Sequence, residues 1–133
     1  MPPYLNFAPL DNATDALALS AQRYQGALSK TKTADLSAAT LQDLNQKLAV
    51  SEQRLTTPEG LLRRPWYKHM IYAPGVYSGY DAKTIPGVRE AIEQKHWDEA
   101  NSEIVRVSKV LDNERALIDS ASQDLETSKT GAK

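Results

Sequence analysis

The side chains best suited to chemistry are gathered in one stretch, Leu61 to Gly87, which reads LLRRPWYKHMIYAPGVYSGYDAKTIPG. It holds five of the nine aromatic residues (Trp66, Tyr67, Tyr72, Tyr77, Tyr80), together with Arg63, Arg64, Lys68 and His69. Between Leu61 and Tyr80 there are three fixed cations and no acid. Guanidinium and ammonium groups are hydrogen-bond donors, so the stretch can pair with carboxylates. Cations interleaved with rings are also the composition of a single-strand nucleic-acid surface. The rest of the chain supplies no extended basic stripe, so nucleic acid is not expected as a partner. Pairing of Arg63 and Arg64 with helix carboxylates or with a neighbouring domain is the plainer reading.

Other chemistries find little support. The chain has two histidines, His69 and His96, in different elements, whereas a catalytic zinc site takes three protein ligands. His69 reads as a packed, hydrogen-bonded histidine that anchors the aromatic stretch. No HExxH, GxSxG, phosphate-binding loop or GxGxxG occurs, and no serine has a base in its own element. The acids Glu103, Asp112, Glu114 and Asp119 scatter around one long helix and read as a solvated face. The chain by itself is therefore expected to be no enzyme and to hold no cofactor.

The elements that position this stretch are helical. Leu10, Ala13, Leu17, Ala21, Tyr24 and Leu28 fall on one face of a helix over 10–28, with Pro9 at its start and Asp11 and Asp15 near the positive end of its dipole. A second helix follows Asp35 or Ser37 as N-cap and carries Leu41, Leu44, Leu48 and Leu55 on one stripe. Pro58 ends it. Pro86 opens a short helix with Val88 and Ile92 inward, and Gln94–His96 turns into the longest helix, about Trp97 to Glu126. Its stripe is Ile104, Val107, Leu111, Ile118, Ala121 and Leu125. Such narrow stripes are stable only when buried together. The expectation is an all-α bundle of three long helices and one short one, with a long ordered loop between the second and third.

The 133 residues fit one domain, with 1–8 and 127–133 as flexible ends and 57–85 as the functional loop. Structureless connections beyond about 12–15 residues are uncommon unless they function, and disordered ones are poor in aromatics. Sixteen basic and seventeen acidic residues give no general reason for an anionic partner, and there is no cysteine for disulfides or thiolate metal sites. No apolar run reaches the length of a membrane span, so no direct membrane contact is expected. No signal peptide opens the chain, which reads as cytosolic or as a piece of a longer protein.

Arg64-Pro65-Trp66-Tyr67-Lys68-His69-Met70-Ile71-Tyr72-Ala73-Pro74, then Tyr80, then Ile85-Pro86-Gly87-Val88, resembles the transferrin-receptor-like dimerisation domain of the glutamate carboxypeptidase family. The pattern there is R-P-[FW]-Y-[RK]-H-x-I-Y-A-P, a Lys-Tyr pair, and F-P-G-[IV]. Weaker likeness covers most of the chain, and the wording is nearest to fungal members. The resemblance implies a non-catalytic C-terminal helical module that packs on its own protease domain and on a second subunit in a homodimer. It also implies that the loop over 72–84 completes the substrate pocket of that protease domain. Tyr80 would then hold a substrate's terminal carboxylate, and Gly79 stands where the family has a lysine that pairs with a glutamate side chain. Arg64, Trp66, His69 and Tyr72 would anchor the loop. Zinc is implied only for the protease domain, outside this chain, and the location implied is the lumenal, vacuolar or extracellular side of a membrane-anchored parent. The alternatives are a receptor-like relative without peptidase activity and a free-standing helical adaptor whose loop binds another protein.

Overall fold

The computed structural model describes residues 3–74 and 82–130. Among them are four helices, α1 (Ala8–Ser29), α2 (Ala38–Arg54), α3 (Pro86–Glu93) and α4 (Trp97–Thr130), and two short strands, β1 (Tyr72–Pro74) and β2 (Ala82–Thr84). The class is all-α. No helix among the described residues is long and apolar enough to cross a membrane.

The long helix α4 is the axis of the bundle, and at 1.5 Å per residue its 34 residues reach about 51 Å. Helix α1 lies along it in the same direction: the Asn6 amide donates to Asn101 Oδ1 at 3.2 Å, and Arg23 pairs with Glu126. The buried residues of α1 are Ala13, Ser20 and Ala27, small side chains seven positions apart, which permit close approach along one seam. That seam differs from the expected face, because Ala21 and Leu28 are exposed.

Helix α2 runs the other way, with Lys47 meeting Asp124 at 2.6 Å and the Ser51 hydroxyl hydrogen-bonding Glu114. Ser37 is its N-cap, accepting the Thr40 N–H at 3.1 Å. Leu44 is buried, but Leu48 is exposed, a correction to the apolar stripe. The helix is rotated so that Lys47 and Ser51 face α4, where the carboxylates of Asp124 and Glu114 receive them. Glu103 and Glu114 also depart from the expected solvated face: both are buried in α4.

The 17 residues of α2 cover only the C-terminal half of α4. The N-terminal half is covered by residues 55–74 and by α3. Two cores result. Leu61, Met70, Ala73, Val88, Ile104, Val107 and Val110 form one, with Leu5 packed against it. Ala27, Leu44, Ala121 and Leu125 form the other. Leu5 packs against the first core, and residues 127–130 continue α4 as helix.

Candidate functional site

In the stretch between α2 and α3, called the flap below, the expected ordered loop is built, among the described residues, from two successive hairpin pairings. In the first, Thr57 N–H donates to the Lys68 carbonyl and Met70 N–H to the Leu55 carbonyl, both at 2.9 Å. Inside it, Leu61 N–H reaches the Tyr67 carbonyl at 2.8 Å. Gly60 turns the chain with φ +71°, and a Cβ there would sit 2.3 Å from the Pro65 carbonyl oxygen, so only glycine fits. In the second hairpin β1 pairs antiparallel with β2, Tyr72 opposite Thr84 and Pro74 opposite Ala82. The two are joined where Ile85 N–H donates to the Ile71 carbonyl at 2.6 Å.

Side chains then fix this stem to the helices. Leu61, Met70 and Ala73 plunge into the first core. Arg64 is buried, and its Nη2 lies 2.5 Å from Glu90 Oε1 of α3, with its guanidinium 5.5 Å from the Tyr67 ring centre. Arg63, held at φ +62°, meets Glu99 Oε2 at 2.9 Å, Gln94 Oε1 at 3.3 Å and His96 Nδ1 at 3.2 Å. Lys68 Nζ donates to the Pro58 carbonyl at 2.6 Å. The three cations of the stretch are thus engaged in holding it down.

Among the expected anchors, Arg64 ties the stem to α3. His69 is half-buried; its Nδ1 accepts the Ile71 N–H at 3.2 Å, which assigns the proton to Nε2, and its ring lies 4.2 Å from that of Tyr72. Trp66 sits differently: it is 69% exposed, 6.4 Å from the Tyr67 ring. The reason is register, since Leu61 and Met70 occupy the inward positions of the first hairpin and leave Trp66 at its outer end. Tyr72 is 52% exposed. Gly79 and Tyr80 lie in residues 75–81, outside the described residues.

Two residues at the root, Glu90 and Arg106, were not singled out by sequence, and a third, Glu103, was read as solvated. Arg106 donates to Glu103 Oε1 at 2.6 Å, to the Gly60 carbonyl at 2.6 Å and to Thr57 Oγ1 at 3.3 Å. The second oxygen of Glu103 packs against Gly87, where a Cβ would fall 2.3 Å away. A signal was present for Glu103, which lies three residues after Ala100 and four before Val107, on the buried stripe of α4.

No group of three or more His, Asp or Glu side chains among the described residues could hold a metal ion. His69 is committed to the stem and His96 to Arg63 and Glu99, at 3.3 Å from Glu99 Oε2. The described residues therefore do not fit a zinc site, and the arrangement offers an exposed aromatic surface on a stiff stem instead.

Comparison with known proteins gives this geometry a context. Residues 5–119 match the family described as the transferrin receptor-like dimerisation domain. The chain is 37% identical over 91 residues to the Arabidopsis thaliana protein named "Probable glutamate carboxypeptidase LAMP1". It is 40% identical over 52 residues to an Arthroderma benhamiae protein named "Probable glutamate carboxypeptidase". It is 30% identical over 89 residues to a Saccharomyces cerevisiae protein provisionally named the zinc metalloprotease TRE2. These matches take in 63%, 39% and 61% of this chain but 13%, 7% and 11% of the relatives, so the chain corresponds to a small part of each.

Proposed function

We propose that this chain, which belongs to the transferrin receptor-like dimerisation domain family, works as the non-catalytic helical module of a larger glutamate carboxypeptidase-like zinc peptidase. In this reading the bundle contributes to a homodimer, and the flap seats on the protease domain of its own subunit, where residues 72–84 complete the substrate pocket. The observation that supports it is the exposed apolar surface of a well-fastened stem: Leu62, Trp66, Tyr67 and Tyr72 all stand open within eleven residues. Exposed apolar clusters of this kind mark interaction sites. A stem held by buried ion pairs presents them without further ordering cost.

In the same reading Tyr80 donates its hydroxyl to the terminal carboxylate of a peptide substrate. Gly79 offers no side chain, so the second carboxylate of a C-terminal glutamate gains no ion pair there. A hydrogen bond to a charged group contributes about 1.5–3 kcal/mol, so glutamate is favoured at least about tenfold less than with a lysine at that position. The zinc, its ligands and the reacting groups belong to the protease domain.

The test is Tyr80→Phe in the full-length protein, assayed on dipeptides with free and with amidated C-termini. The expected result is a drop of about tenfold or more in kcat/KM for the free carboxylate alone. Unchanged kinetics on the free carboxylate would remove Tyr80 from the pocket.

A further inference from the structure

We infer that Arg106 is a positioning residue that sets the angle at which the flap leaves the bundle, acting through its ion pair with Glu103; as a statement about substrate binding this rests on the reading above. The two charges sit three residues apart on α4, so the pair exists on one rigid rod independently of the flap. Both legs of the flap then dock on it. The first leg brings the Gly60 carbonyl and the Thr57 hydroxyl to Arg106 Nη2, at 2.6 and 3.3 Å. The last leg brings Gly87, at the start of α3, against Glu103 Oε2 so closely that no side chain fits between them. One ion pair therefore touches the chain where the flap begins and where it ends.

The chemistry suits a ruler better than a glue. Glu103 is 1% exposed and Arg106 28%, and a buried pair of this kind contributes little net stability, since desolvation offsets the attraction. It contributes direction. The guanidinium is a planar fork whose donors point at fixed angles, here to a carboxylate on one side and a backbone carbonyl on the other. The grip extends inward as well, because the Thr57 hydroxyl also accepts the Gly60 N–H at 3.2 Å and contacts the sulfur of Met70 at 3.7 Å, the most deeply buried side chain of the stem. A lysine would supply one point charge on a flexible stalk and lose the second direction.

The experiment is amide hydrogen exchange on the 133-residue chain carrying Arg106→Met or Arg106→Lys. Reporter amides are those of Thr57, Met70 and Ile85, each bonded across the flap root, and of Leu61, bonded within the first hairpin; controls are the amides around Ala121 and Leu125. Arg106→Met is expected to speed exchange at the reporters about tenfold or more while the controls keep their rates, and Arg106→Lys to fall between it and the parent sequence. Reporter rates within about twofold of the parent, or an equal acceleration at reporters and controls, would overturn the positioning role. If Arg106→Met does not fold, Arg106→Lys alone decides on the same criteria. In the full-length protein Arg106→Met is expected to raise KM about tenfold with kcat nearly unchanged, and Tyr80→Phe is run beside it. A silent Tyr80→Phe with accelerated reporters removes the pocket reading and leaves the ruler in place; unaccelerated reporters remove the ruler whatever Tyr80→Phe does.

Discussion

Gly87→Ala is a small change with a large expected consequence. In an ordinary helix the substitution stabilises by up to about 1 kcal/mol, because alanine loses less backbone freedom on folding than glycine. Here the added methyl carbon falls 2.3 Å from Glu103 Oε2, 3.0 Å from its Cδ and 3.3 Å from its Cγ. A carboxylate at the end of a free side chain would swing away. This one is enclosed and held at 2.6 Å by Arg106, so moving it disturbs the pair and the Gly60 carbonyl bonded to the same guanidinium. Overpacking of this size costs roughly 1–3 kcal/mol, and after the full helix gain the net loss reaches about 2 kcal/mol. For a chain of this length that lowers the thermal midpoint by roughly 4–8 °C. Circular dichroism melts measure it, and a double-mutant cycle with Glu103→Ala isolates the cause. With Glu103 truncated the methyl has room, and Gly87→Ala is expected to be neutral or stabilising. An unchanged or raised midpoint in the parent background, or the same loss in both backgrounds, would refute the close-contact argument.

Glu90→Ala removes the carboxylate that meets the buried Arg64 guanidinium and is expected to cost about 1.5–3 kcal/mol in urea unfolding, whereas Arg64→Met with Glu90→Met together costs less than half of that. Equal losses would show the pair to be ordinary packing. The Arg23 hydrogen bond holds the Glu126 carboxyl below its ordinary value of 4.5, and the Lys47 hydrogen bond holds the Asp43 carboxyl below its ordinary 3.8. Both folded values lie below the unfolded ones, so their contribution is present above the ordinary carboxylate range and fades as pH falls through the depressed folded values. The thermal midpoint is expected to decline between about pH 5 and pH 3, and less steeply in Glu126→Gln. An identical pH profile for that variant would exclude the Arg23–Glu126 pair as a source.

The helices were legible because their stripes are long and regular; Ile104, Val107, Ala121 and Leu125 all lie in the cores. The stripe of α4 skips from Leu111 to Ile118, and the missing step is position 114, where Glu114 is buried beside Ser51. Periodicity located the interior position, but the rule that carboxylates face water hid it. The expectation that apolar side chains face inward and polar ones outward likewise favoured Leu48 over Lys47 and Ser51 on α2, although partners on α4 decided otherwise. The flap stem was less legible. Strands of three residues are too short for alternation to register, and Pro74 argues against a strand except at an edge or an end. Ile85 adopts φ +46°, a left-handed conformation that nothing in a β-branched residue announces. Packing against the first core and the hydrogen bond from its N–H to the Ile71 carbonyl hold it there.

Among the described residues the two cores share a backbone rod but no buried side chain. Sequence drift at the far end, around Ala27, Leu44 and Leu125, is therefore free to retune how firmly the bundle holds without retouching the aromatic face at the near end. Descendants of such a chain can revise what the flap greets while inheriting the same timber beneath it.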